Sequence, residues 1–331
     1  MIAAYAAKQP KAKLEPFTYD AKINDYDVLI SITHCGICHS DVHIVDGDWG
    51  DNFFPVVPGH EIVGIVAETG PAVKSVKKGD RVAVGWQCGS CLDCEYCSAG
   101  QENLCGKSAA TCMGHFGGFA DKVTAHERFV FKLPEHLESA STAPLLCGGI
   151  TVYSPLNRYA TSGMTVGIIG IGGLGHMALL FANAMGCKVY AISSSLDKEA
   201  EVKKFGAVKL LNAKSPEALK SMNGSFDFLL STIPASVDFN VYIPLLKKNG
   251  VFCQVGAAPG EFMIPATPLV VGQKTVCGSV IGSPGQIKEM IAFAAKHHIN
   301  PMIEIMPMKD CNIALDRTRK GKARYRMVLE N

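Results

Sequence analysis

Up to about residue 145 the chain runs in short apolar stretches broken by turn residues. "DVLISIT" (27–33) and "DRVAVGW" (80–86) read as strands, and "KKGD" (77–80) as a turn between such runs. That rhythm predicts a compact β-rich unit. From about 150 the pattern alternates strand and helix. "TVGIIGI" (165–171) leads into the helical "GHMALLFANAMG", followed by "KVYAIS" (188–193) and the helical "DKEAEVKKFGA". The runs "FDFLLST" (226–232), "VFCQVG" (251–256) and "KTVCGSVIG" (274–282) complete a series that reads as a parallel, doubly wound α/β sheet. Beyond about 283 come a helix near "QIKEMIAFAAKHH" and the strand "RYRMVL" (324–329).

The 331 residues exceed one comfortable core and fit two domains. Segment 164–186 is apolar enough to raise the question of a membrane span. Its six glycines and His176 favour a strand, turn and helix instead. A formal net charge of +2 without a basic block points to neither nucleic acid nor an anionic surface. The N-terminal stretch lacks the apolar core of a secretion signal, so a cytoplasmic protein is expected. In that compartment thirteen cysteines read as thiols and metal ligands.

"GIGGLG" fits G-x-G-x-x-G at Gly170, Gly172 and Gly175, with Gly173 and Leu174 between. A strand before it and a helix after it supply the context of a dinucleotide site, where the backbone approaches a pyrophosphate at the positive helix end. An NAD site usually carries Asp or Glu at the end of the next strand. Here that strand ends in Ser193, Ser194 and Ser195, with Lys198 beyond, a set suited to the 2′-phosphate of NADP(H). Asp197 keeps NAD as the minority reading, and Ser195 or Asp197 also suits a helix cap.

Five cysteines fall in "CGSCLDCEYCSAGQENLC" (88–105). Read from Cys88, the first four approach an iron–sulfur run, although that run has a longer last gap and a following proline. Read from Cys91, the set Cys91, Cys94, Cys97 and Cys105 is a closed thiolate cage for structural zinc. A second, dispersed group comprises "CGICHSDVH" (35–43), "PGHE" (58–61) and Cys147 in "PLLCGGIT". Spacing alone does not join these.

The motifs "GICHSDVH", "VPGHE", the four-cysteine lobe, "PLLCGGITVYSPL", "GIGGLGHMALLFANAMG" and the tail "GKARYRMVL" occur in this order over essentially the whole chain. Together they resemble the zinc-dependent medium-chain alcohol dehydrogenases, most closely the cinnamyl alcohol dehydrogenase-like, NADP-dependent aldehyde reductases. The resemblance implies an α/β protein with a GroES-like β-rich catalytic domain (1–147, completed by 283–331) and a Rossmann nucleotide domain (148–282). It implies two zinc ions per chain. Catalytic zinc would lie on Cys38, His60 and Cys147 with Glu61 adjacent, and structural zinc on the lobe, leaving Cys88 outside. Cys2His with an open position is a ligand set known from alcohol dehydrogenases. Thr151, Thr232, Gly256 and Ser279–Ile281 match positions on the nicotinamide side.

By the same resemblance, Ser40 passes a proton to the substrate oxygen and His43 ends the relay to solvent. Trp49, Trp86, Phe116 and Phe119 lie near loops used around the zinc, and a ring-lined pocket suits aromatic or medium-length aliphatic aldehydes. The expected partners are a small alcohol or aldehyde and a second copy of the chain, paired through the edge near 274–282, with no nucleic acid or membrane. Two rivals remain at this point. A zinc-free quinone or enoyl reductase of the same fold has no need of the cysteine sets, and a non-enzymatic zinc-binding module leaves the nucleotide domain idle.

Overall fold

The structure is a computed structural model that describes residues 1–50, 52–257 and 260–331. It divides into two compact units, Met1–Ile150 with Ile281–Asn331, and Thr151–Val280.

The first unit is built on a seven-stranded sheet. Strand Asp27–Ile37 buries Val28, Ile30 and Ile32 by alternation. It pairs antiparallel with Glu61–Thr69 on one side and Arg326–Glu330 on the other. Gly36 lies opposite Glu61 and Ile37 opposite Met327, so Cys38, Glu61 and Arg326 gather at one end of the sheet. A short helix, His39–Asp46, begins directly after Cys38 and stops at Gly47, whose φ of 76° breaks it. The tail strand runs Arg326–Glu330 rather than 324–329.

The second unit is a six-stranded, wholly parallel sheet. Its order is Ala207–Asn212, Lys188–Ser193, Thr165–Ile169, Phe226–Ser231, Leu246–Gln254 and Thr275–Gly278. The chain reverses direction of winding between Thr165–Ile169 and Phe226–Ser231, which opens a crevice beyond those two strand ends. Segment 164–186 resolves into strand Thr165–Ile169 and helix Gly175–Ala184. Among the described residues no helix is long and apolar enough to cross a membrane.

Candidate active site and metal centres

Cys38, His60, Glu61 and Cys147 bring one ligand atom each to within 4.8 Å of one another, and all four are buried. Cys147 donates to Cys38 across 4.0 Å, near the separation of about 3.8 Å that two sulfurs keep on a tetrahedral zinc. That contact favours the Cys38 thiolate and holds its pKa well below the ordinary thiol value, while Cys147 lies well above it. The donor set therefore fits a tetrahedral zinc with an open position.

Asp41, absent from the sequence-based set, organises this group. Fully buried, it accepts from the backbone N–H of Cys38 (2.8 Å), that of Gly59 (2.7 Å) and His60 Nδ1 (2.9 Å). With Nδ1 donating to the carboxylate, His60 turns Nε2 inward as an acceptor. Among the described residues that nitrogen is buried without a hydrogen-bond partner, as a metal-ligating imidazole requires. The signal in the sequence was the position three residues after Cys38, where an acid can bond back to the N-cap.

Glu61 forms a buried ion pair with Arg326, the second residue that the sequence reading missed. Burial raises the Glu61 carboxyl to about 7, against the opposing pull of Arg326. Gly36 makes room for this carboxylate: a Cβ there would stand 2.1 Å from Glu61 Oε2.

Ser40 Oγ lies 3.7 Å from Cys38 Sγ. His43 Nδ1 meets Asp48 at 2.7 Å, and its ring stacks on Trp49. Trp49 meets Trp86 edge to face, and Trp86 in turn meets His60 with ring centroids 4.9 Å apart. The other two proposed pocket rings have different surroundings. Phe119 is fully buried in the core of the first unit, so it is corrected to a core residue. Phe116 packs with Phe17 and Tyr19, a separate ring cluster.

Cys91, Cys94, Cys97 and Cys105 likewise converge within 4.8 Å, with Cys91–Cys97 at 3.9 Å and Cys91–Cys105 at 3.5 Å. Four thiols at tetrahedral spacing fit a closed zinc site. Cys88 points away, donating to the carbonyl of Ala109. Glu102, 1% exposed, pairs with Arg128 and ties the loop to the sheet unit.

In the second unit the glycines have separate uses. Gly170 has a φ of 86° and makes the turn. A Cβ on Gly175 would stand 1.9 Å from the Gly170 carbonyl, so only glycine permits the helix to start so close to the strand. Gly172 faces open space, where a phosphate can approach the backbone. Gly173 and Leu174 complete the loop before the helix. Thr232 Oγ1 donates to the carbonyls of Ile169 and Gly170, and Lys198 Nζ to that of Ile171 (2.8 Å). Ser193 is buried and accepts from the N–H of Ser195, whereas Ser194 and Ser195 are exposed. Gly256 packs against the Ile233 carbonyl, and Gln254 bonds both Gly256 and the N–H of Ser279. Thr151 is nearly buried on helix Gly148–Tyr159. Ile281, in the first unit, has a φ of 34°, a strained value for a β-branched residue.

Comparison with known proteins matches this architecture. Residues 24–135 fit the alcohol dehydrogenase GroES-like domain and residues 173–296 the zinc-binding dehydrogenase domain. Aldehyde reductase AdhA of Synechocystis is 42% identical, over 100% of this chain and 99% of its own. Cinnamyl alcohol dehydrogenase 2 of Rauvolfia serpentina is 41% identical, over 98% of this chain and 94% of its own. Among solved structures, a cinnamyl alcohol dehydrogenase from Sorghum bicolor superposes with a TM-score of 0.95 at 37% identity, covering 99% and 97% of the two chains. An enzyme of the same type from Helicobacter pylori, complexed with NADP(H), gives 0.92 at 34%, again covering 99% and 97%. With buried Cys, His and Cys donors at one sheet end, a four-cysteine loop and a six-stranded nucleotide-type sheet, the chain belongs to the zinc-binding alcohol dehydrogenase family with a GroES-like domain.

Proposed function

We propose that this protein is a zinc-dependent, NADP(H)-linked alcohol dehydrogenase that acts mainly as a reductase of aromatic or medium-chain aliphatic aldehydes. The observation that carries the reading is the unpartnered, buried His60 Nε2 facing the Cys38 and Cys147 sulfurs. Cys38, His60 and Cys147 would hold the reacting zinc; Cys91, Cys94, Cys97 and Cys105 the structural one. When bound, the zinc supplies Lewis acidity that polarises a carbonyl, and NADPH supplies the hydride.

The chain's own groups manage the proton. Ser40 has no useful pKa of its own but passes a proton through its hydroxyl, whose oxygen lies near Cys38 Sγ. His43, held by Asp48 through Nδ1, leaves Nε2 for exchange with the relay. Asp41 keeps Cys38 and His60 in place, and the rings of Trp49 and Trp86 give the site an apolar wall. Reduction is favoured because cells hold the NADP pool reduced.

For the cofactor, Lys198 sets its ammonium on the glycine turn itself, and the adjoining strand end carries hydroxyls in place of a carboxylate. That supports NADP(H), with Gly170, Gly172, Gly173, Leu174 and Gly175 against the pyrophosphate and Ser193, Ser194, Ser195 and Lys198 toward the 2′-phosphate. Thr151, Thr232, Gly256, Ser279 and Ile281 would stand toward the nicotinamide. A homodimer paired through the edge strand Thr275–Gly278 is part of the same reading. Its support is the open sheet edge and the exposed Val270, Val271 and Val280 around it. A cytoplasmic location belongs to the same proposal.

A panel of aldehydes and alcohols assayed with NADPH, NADH and their oxidised forms tests substrate, direction and cofactor together. The expected outcome is faster reduction than oxidation and a clear preference for NADPH. Preference for NADH, or turnover restricted to quinones or enones, would overturn the reading.

A further inference from the structure

Helix His39–Asp46 carries Ser40, Asp41 and His43, and its far end is tied to helix Cys311–Arg319. Arg319 donates to Asp46 twice, from Nε to Oδ2 at 3.0 Å and from Nη2 to Oδ1 at 2.7 Å. A two-point bond of this kind fixes orientation as well as distance. The Asp46 side chain is 16% exposed and that of Arg319 35%, so the pair is screened less than an open surface pair. Asp316, 3.9 Å from Arg319 Nη1, steadies the guanidinium on its own helix. An acid at the last position of a helix opposes the helix dipole, so Asp46 weakens that end unless a cation answers it. Arg319 is that cation. Between the helices, the N–H of Lys11 donates to the Val45 carbonyl, and Asn312 bonds both backbone groups of Leu14.

Directly beyond Asp46 the chain turns through Gly47 and Gly50, with φ values of 76° and 106°. Asp48 and Trp49 stand between them. Glycine on both sides gives this turn few restraints of its own. Trp49 is 38% exposed, so packing holds its ring from one side. That side consists of His43, with ring centroids 5.3 Å apart, and Trp86 at 6.0 Å. The first turn of the helix is held separately, by the bonds that Asp41 accepts from Cys38 and Gly59. Freeing the Asp46 end therefore moves the Trp49 ring more than it moves Ser40 or Asp41.

We propose that Arg319 is a positioning residue for substrate specificity: through Asp46 it sets the turn at 47–50, and with it the face that Trp49 presents to an aromatic aldehyde. Arg319 touches neither substrate nor zinc. Its partner Asp46 ends the helix, Gly47 turns the chain, and Trp49 stands two residues on. An aromatic substrate gains from a ring held at a fixed place, stacked or edge to face, whereas propanal offers no ring to receive. Loss of the clamp therefore weakens binding of the aromatic aldehyde selectively. That consequence rests on the pocket reading above; the hold of Arg319 on the turn does not.

The chain has two tryptophans, so Trp86→Phe leaves Trp49 as the sole indole and lets its fluorescence report on the turn. In that zinc-loaded background, Arg319→Gln should raise acrylamide quenching of Trp49 and shift its emission to the red. Arg319→Lys, which keeps the charge but not the two-point bond, should fall between it and the parent. Asp46→Asn should match Arg319→Gln, and the double variant should go no further than either alone. With both tryptophans present, Arg319→Gln should raise KM for benzaldehyde about fivefold, the scale of one ring contact. KM for propanal should stay within about twofold, zinc content should hold, and Tm should fall by no more than about 3 °C. Unchanged quenching, additive effects of the two substitutions, or an equal rise in both KM values would overturn the proposal. Loss of zinc or a larger fall in Tm in both Arg319 variants would also overturn it, as the mark of a prop for the fold. Trp49→Ala separates the two readings. If it leaves the benzaldehyde KM unmoved, the pocket reading fails while the quenching still reports on the clamp; if it raises that KM and Arg319→Gln does not, the specificity role of Arg319 fails.

Discussion

The donors Cys38, His60 and Cys147 come from three distant segments and are buried, whereas Cys91, Cys94, Cys97 and Cys105 come from one loop that leaves Cys91 and Cys94 partly exposed. The first group is positioned by the protein itself: the Asp41 carboxylate gathers three donors around it, and the sheet end fixes Glu61 and Arg326 alongside. The loop has little regular structure of its own beyond one turn of helix at Glu95–Ser98 and a 3-10 turn at Glu102–Leu104. Its shape would come from the ion. The contrast separates two uses of one metal. A preorganised, dry centre with an open position can do chemistry, and a self-contained chelate can only hold a loop.

This contrast can be broken most forcefully at the loop. Cys94→Ser should empty that site alone and cost a few kcal/mol, lowering Tm on the order of 10 °C in a scanning calorimetry or fluorescence melt. Turnover per remaining zinc should stay within a few-fold of the parent. The chemical centre answers in the other currency. Ser40→Ala should lower kcat about a hundredfold with Tm and zinc content unchanged, and unaltered turnover would remove Ser40 from the relay. The smallest change sharpens the claim of preorganisation. Asp41→Asn keeps the size of the side chain but removes its charge, and should weaken retention of the reacting zinc by roughly 10–100-fold in a chelator competition. Loss from the loop at an equal rate would show that Asp41 does not single out one centre.

Legibility in the sequence followed how local each feature is. The glycine turn and the loop cysteines lie within short windows, so strand, turn and spacing identified them. The loop's spacing left two readings; resemblance set Cys88 outside the cluster, and in the structure its thiol bonds to the Ala109 carbonyl instead. Cys147 lies 109 residues from Cys38, and nothing in its apolar surroundings distinguishes it from a core thiol; resemblance supplied it. Asp41 and Arg326 escaped because each looks ordinary in its segment, an acid in a first helical turn and a base near the chain end. Their burial beside the same donors arises from pairing of Asp27–Ile37 with strands on both sides. Phe119 erred in the opposite direction: an aromatic near a functional loop proved to be core. Register and burial are properties of the assembled sheet, and no short window carries them.

The most direct test of the division between the centres is a zinc count on the parent protein and on Cys147→Ala, with NADPH-dependent aldehyde reduction measured on the same samples. Two zinc ions per chain are expected in the parent. The variant should keep one and lose roughly a thousandfold or more in turnover, the equivalent of about 4 kcal/mol of transition-state stabilisation. A variant that keeps both ions, or that reduces aldehydes at the parent rate with one, would contradict the account.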